Sequence, residues 1–145
     1  MQALTALKTS IVVNMVIGGL LLAAASHPST AIVANVFADL VFWPFDGNQA
    51  ANTSTAMFFG GIGGGAFFGW GIASYILADK LLPQQPSLAA SILRSGFLSW
   101  FCLDGMASIL SGAPINAFVF NVVILLSLLV PLHYANQIAR QKQKL

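Results

Sequence analysis

The sequence predicts an all-α membrane protein, an antiparallel four-transmembrane-helix bundle plus one short amphipathic interfacial helix on the outer side, all in a single membrane domain over residues 1–145. Three observations predict it. First, 57% of the residues are hydrophobic and only 7% are charged, with a mean hydropathy of +0.82. A soluble domain carries roughly a quarter charged residues, so apolar runs at this density have to face lipid or another membrane helix. The chain has room for about four spans of ~20 residues with short connections, and none for a separate soluble domain. Second, Met57 to Ala78 is long enough to cross a bilayer and holds Gly60, Gly61, Gly63, Gly64, Gly65 and Gly69, interleaved with Phe58, Phe59, Phe67, Phe68 and Trp70. In water each interior glycine costs ~1 kcal/mol against alanine. In lipid the backbone has to bond to itself, so the helix survives and the glycines become packing surfaces. Third, the basic residues fall on one side once the spans are drawn.

Taken in order, Lys8, the apolar run Ile11 to Ala25 and the small residues Ala23-Ala24-Ala25 have the layout of a secretory signal peptide. The reading adopted is an uncleaved first span, Thr9 to Ser26, with Asn14 turned toward protein. His27-Pro28-Ser29-Thr30 breaks it, and Ser29 or Thr30 can cap the next helix. From Ala31 to Trp43, Ile32, Val33, Val36, Phe37, Leu40 and Val41 recur at helical spacing, with Asn35 and Asp39 on the other face. Such a helix rises only ~20 Å, too short to span, and is predicted to lie at the surface or dip into it. Phe42, Trp43 and Phe45 suit an aromatic belt.

A turn at Trp43 to Gly47 and a polar loop, containing the formal sequon Asn52-Thr53-Ser54, lead to the second span, Ala56 to Ala78, capped by Thr53, Ser54 or Thr55. Asp79-Lys80 ends that span and Leu81 to Ser87 is predicted as a loop. Leu88 to Leu110 is the third span, Ser111-Gly112-Ala113-Pro114 a turn, Ile115 to Tyr134 the fourth span, and 135–145 a fraying cytoplasmic tail. With these spans Lys8, Lys80, Arg94, Arg140, Lys142 and Lys144 share one side. The positive-inside rule then puts both termini in the cytoplasm. A fifth span at Ala31–Trp43 would put the first terminus on the wrong side.

Candidate site residues are few. Asp104 is an ionisable group within a span, which costs ~3 kcal/mol on insertion scales. It lies ~10 Å below the outer boundary, at the depth of Asn121 on the next helix. With Ser108 one turn on and Asn116 shallower, Asp104 and Asn121 form a candidate polar cluster, either a clamp on the hairpin or a ligand, ion or proton site. Gly61, Gly65, Gly69 and Ala73, each four apart, make a small-residue stripe, with Gly60 and Gly64 beside it. That stripe suits packing within the chain, an oligomer interface, or a flat slot for a lipid, quinone, carotenoid or tetrapyrrole with the Phe residues and Trp70 as walls. His27 and His133 are candidate axial ligands, though the topology puts them at opposite ends. Arg94 is expected at the interface or paired with Asp79. Cys102 reads as a small core residue. No catalytic motif and no metal-binding spacing occurs, which points away from an enzyme. No basic cluster falls among aromatics, which excludes nucleic acid as a partner.

Phe42-Trp43-Pro44-Phe45-Asp46-Gly47, the glycine-rich span ending in Gly69-Trp70-Gly71, and Trp100-Phe101 with Asp104, Ser108, Gly112-Ala113-Pro114, Asn116 and Asn121 resemble small four-span inner-membrane proteins of proteobacteria. The resemblance implies four spans and a bacterial inner membrane. It carries no catalytic residue, and it adds Asp46 to the outer cluster. The expected function is a non-enzymatic accessory or structural subunit of a larger inner-membrane assembly, respiratory or photosynthetic. The alternative is a small-molecule binder or carrier, for a lipid, quinone, pigment or cation, around Asp104. Membrane lipids and a membrane-protein partner or second copy are the expected partners.

Overall fold

In a computed structural model that describes residues 2–27, 29–50 and 53–143, every regular element is a helix and no strand occurs among the described residues. Pro28, Asn52 of the sequon and Lys144 of the tail lie outside them. Helix α1 (Gln2–Ser26) starts well before Thr9, because Leu7 is fully buried and Ala3 and Leu4 pack beside it. Asn14 faces protein as expected: it is 4% exposed and its Nδ2 donates to Ser10 O at 2.8 Å.

Helix α2 (Ala31–Val41) stops short of Trp43, closed by a bond from Phe42 N–H to Ala38 O at 2.9 Å. Thr30 precedes it without capping it; its Oγ1 sits 2.7 Å from the carbonyl oxygens of both Ala23 and His27. Along α2 the two sides of the periodicity do not divide cleanly into inner and outer: Val41 is buried at 5% exposure and Phe37 is half-buried. Ile32, Val33, Val36 and Leu40 are exposed, while Asp39 is buried at 3% exposure. Both Asp39 carboxylate oxygens accept the Gly47 N–H, at 3.0 and 2.9 Å, and this holds the loop after α2. Gly47 has φ +75°, a conformation glycine adopts without steric cost.

Helix α3 (Ser54–Ile76) is capped by Thr53, whose side chain accepts Ala56 N–H at 3.2 Å. It runs through a π turn, Leu77–Leu81, into α4 (Leu82–Gln84), so Asp79 and Lys80 do not end it and Leu81 to Ser87 is not a loop. The chain turns at Gln85 and Pro86 opens α5 (Pro86–Leu110), at a position where its missing N–H is no loss. Asp79 pairs with Lys8 at 2.8 Å and Lys80 at 3.0 Å rather than with Arg94, which is exposed. Helix α6 (Asn121–Lys142) follows a second π turn, Asn116–Phe120. Helix α6 continues through the tail to Lys142, and Gln143 Nε2 donates to Gln84 O at 2.6 Å, which ties the end of α6 to α4.

Three helical stretches, Gln2–Ser26, Ser54–Gln84 and Asn116–Lys142, are long and apolar enough to cross a membrane. At 25 residues α5 matches α1 in length, but it carries Arg94, Asp104 and an exposed row of Ser87, Ser91, Ser95 and Ser99. Cys102 is exposed on this helix too, not in the core.

Helix α1 is central: it packs against α2, α3 and α6, and α5 pairs with α6. A core of Leu7, Ile11, Leu82, Leu93, Phe97, Leu128 and Leu132 fills the half nearest the ends of the chain. The closest approach is between α1 and α3. A Cβ on Gly64 would lie 2.5 Å from Leu22 N and 2.8 Å from Gly18 O, and Gly71 lies against Met15. The stripe Gly61, Gly65, Gly69 and Ala73 is therefore not the row that packs closely on α1. Nothing lies within 4 Å of a Cβ on Gly65 or Gly69, Gly61 meets only the Ala25 methyl at 3.7 Å, and Ala73 is exposed. One residue rotates a helix by about 100°, so the neighbouring row through Gly64 and Gly71 faces α1 and the four-spaced row turns away.

Candidate functional site

The site is built by the α5–α6 hairpin. Gly112, at φ +83°, ends α5 in the left-handed conformation usual just past a helix end. The N–H groups of Gly112 and Ala113 bond back to Ile109 O at 3.1 Å and Ser108 O at 2.8 Å. Gly105 and Ala117 then face each other, a Cβ on Gly105 lying 4.0 Å from that of Ala117, so the two segments meet closely beside Asp104.

The π turn sets the polar geometry. Asn121 N–H bonds to Asn116 O, five residues back. In an α-helix residues five apart point about 140° away from each other; the wider π turn brings them toward one face. Both asparagines consequently reach one oxygen. Asn121 Nδ2 donates to Asp104 Oδ2 at 2.7 Å, and Asn116 Nδ2 donates to the same Oδ2 at 3.1 Å and to Ser108 Oγ at 2.8 Å. Asn121 is 2% exposed and Ser108 is buried. The four residues Asp104, Ser108, Asn116 and Asn121 come together as the spacing suggested.

Beside this cluster lies a cavity of about 440 Å³, within the usual range for small-molecule sites. Asp104, Asn116 and Asn121 line it, with Ile17 and Leu21 from α1, Phe37 from α2, Gly63, Ala66, Phe67 and Trp70 from α3, Trp100 from α5 and Ile124 from α6. Aromatic spacers hold α3 and α5 apart there. Trp70 meets Trp100 at 6.0 Å and Phe97 at 5.3 Å between ring centroids, and Phe67 meets Trp100 at 5.8 Å. Gly63 and Ala66 leave room where larger residues would fill the gap. Comparison with protein families, with curated proteins and with solved structures gives no match. The chemistry of the site is therefore read from its residues alone.

Asp46 does not join the cluster. Its Oδ1 accepts Asn48 N–H at 3.0 Å in the loop held by Asp39. Bonds from the Asn48 backbone and then its side chain hold the Asp46 carboxyl below the ordinary aspartate range. A folded-state pKa below the unfolded one means that this turn is favoured above the ordinary aspartate value and loses that support as pH falls through the depressed one. In an NMR titration the Asn48 amide is expected to shift at a pH below 3.8, and Asp46→Asn is expected to abolish that transition.

Both histidines are exposed and neither lines the cavity. His27 Nδ1 sits 2.7 Å from Ser29 Oγ, and His133 Nε2 sits 3.0 Å from Gln137 Nε2. No group of three or more metal-ligating side chains occurs among the described residues. Phe67 and Trp70 line the cavity, as the slot on the glycine-rich span suggested; Trp100 is the part of the aromatic wall that sequence spacing missed. The signal available was Trp100 and Asp104 four apart, one turn along the same helix face.

Proposed function

We propose that this chain is a small-molecule binder of the membrane, holding an amphiphile with its polar end at Asp104, Asn116 and Asn121 and its apolar body along Phe67, Trp70 and Trp100. The observation that carries this is the juxtaposition of a hydrogen-bonded polar cluster with an aromatic-walled cavity of about 440 Å³. A few convergent polar groups in a largely apolar concavity is the usual form of a ligand site. The topology proposed with it has four spans, α5 joining α1, α3 and α6 as the third in order, and α2 lying at the outer surface with Ile32, Val33 and Val36 toward lipid. The one-sided basic residues support two cytoplasmic termini in a bacterial inner membrane. Gentle extraction from the native membrane, followed by absorption spectroscopy and native mass spectrometry, is expected to find a stoichiometric small molecule. Trp100→Ala is expected to reduce its retention several-fold. A bare protein from native membrane would count against the reading.

A second reading, an accessory subunit docked on a larger membrane assembly, is favoured by one specific feature. The face of α3 bearing Gly65, Gly69 and Ala73 has no neighbour among the described residues, and α5 exposes Ser91, Ser95 and Ser99. Small residues of this kind let a partner helix approach closely. Leucine at Gly65 and Gly69 would then abolish co-purification of a partner without unfolding the chain, and unchanged complexes would sink this reading.

A further inference from the structure

Resting on the binding reading above, we infer that the ligand is a lipophilic organic cation. The charge pattern of the cavity carries the inference. Asp104 is the one ionisable side chain among its described lining residues, and no Lys, Arg or His joins it. The ion pairs among the described residues are Lys8–Asp79 and Lys80–Asp79, so Asp104 has no cationic partner among them. Intramembrane acids are normally paired or set in a functional pathway.

The hydrogen bonds leave acceptors of the cavity-lining residues unused. Both amide donors fall on Asp104 Oδ2; Oδ1 has no hydrogen bond among the described residues and is not a buried unpartnered atom, so it is accessible. Asn116 has two N–H groups, and Asp104 and Ser108 take both. The carbonyl oxygen is the remaining polar atom of the Asn116 side chain. A ligand that meets these two oxygens therefore supplies positive charge or donors; Asn121, whose Nδ2 makes one bond among the described residues, keeps an N–H for a neighbouring acceptor.

The walls select the kind of cation. Phe67, Trp70 and Trp100 stand within 5.5 to 6.0 Å of one another, centroid to centroid. Aromatic faces attract a cation within about 6 Å, most strongly when it is desolvated. A calcium ion takes about six to eight oxygen ligands, commonly from several carboxylates and carbonyls, and one carboxylate with two amides is a sparse set for it. A diffuse organic cation on an apolar body satisfies both the carboxylate and the rings.

The test compares two probes of equal shape and opposite charge, tetraphenylphosphonium and tetraphenylborate. Each is titrated calorimetrically into the full chain in dodecylmaltoside, against protein-free micelles. Tetraphenylphosphonium is expected to bind at least tenfold more tightly than tetraphenylborate. Asp104→Asn, nearly isosteric, is expected to bring the two within threefold. Equal binding of both probes to the unsubstituted chain would overturn the cation inference and leave the pocket standing. Binding of neither would overturn the pocket as well. Because the first comparison uses the unsubstituted chain, it holds whether or not the variant folds.

Discussion

Gly64→Val is expected to break the contact between α1 and α3, while Gly65→Ala, one residue on, leaves the protein as stable or slightly more so. Around Gly64 the neighbours are backbone atoms, Leu22 N at 2.5 Å and Gly18 O at 2.8 Å from any added Cβ. Backbone cannot move aside as a flexible side chain does, so the helices have to separate along their length. Overpacking typically costs about 1–3 kcal/mol, and this site belongs at the upper end, about 3 kcal/mol. At Gly65 an added methyl meets nothing within 4 Å. There the helix propensity of alanine contributes up to ~1 kcal/mol. Thermal unfolding followed by circular dichroism in detergent separates the two. The opposite order of melting would mean that the Gly61–Gly65–Gly69 row is the packing face after all.

The contrast between these neighbouring glycines explains what sequence spacing can and cannot convey. Glycine density announces close helix packing, but several rows of small residues run along α3, and only the position of α1 selects among them. That position depends on Gly18, whose own added Cβ would lie 2.8 Å from Phe68 N, a contact far along the chain. Asp39 teaches the same lesson. Its spacing puts it opposite the apolar residues of α2 but does not say what it meets there. Ile32, Val33, Val36 and Leu40 are exposed, while Asp39, like Val41, is buried and is used to hold Gly47. The Asp104 cluster was legible because depth along two antiparallel helices follows from residue counting and 1.5 Å per residue. Asp46 was not, because its loop folds back onto its own backbone at Asn48. A pocket at Asp104 and a wall of Phe67 and Trp70 were legible too; the part played by Trp100 was not, since it depends on α5 bringing that ring against Trp70 of α3.

Asn121→Leu is expected to destabilise the α5–α6 hairpin more than Asn116→Leu does. Asn121 is buried and makes the shortest bond to Asp104, at 2.7 Å, whereas Asn116 is half-buried and divides its amide between Asp104 at 3.1 Å and Ser108 at 2.8 Å. A hydrogen bond to a charged group contributes about 1.5–3 kcal/mol in soluble proteins; interhelical bonds in membranes average nearer ~0.6 kcal/mol, with a maximum around ~1.7. The expected loss for Asn121→Leu is therefore about 1–2 kcal/mol, and about half that for Asn116→Leu. The sharper test is the double variant. With Asn121 replaced, Asp104 Oδ2 keeps only the longer bond, and part of the cost is an acceptor left short of donors. Adding Asp104→Leu removes that acceptor, so the double variant should be less destabilised than the sum of its parts, by about 1 kcal/mol. Strict additivity in reversible unfolding would mean that Asn121 and Asp104 act independently. The π turn would then be a feature of helix packing rather than the device that aims two amides at one carboxylate.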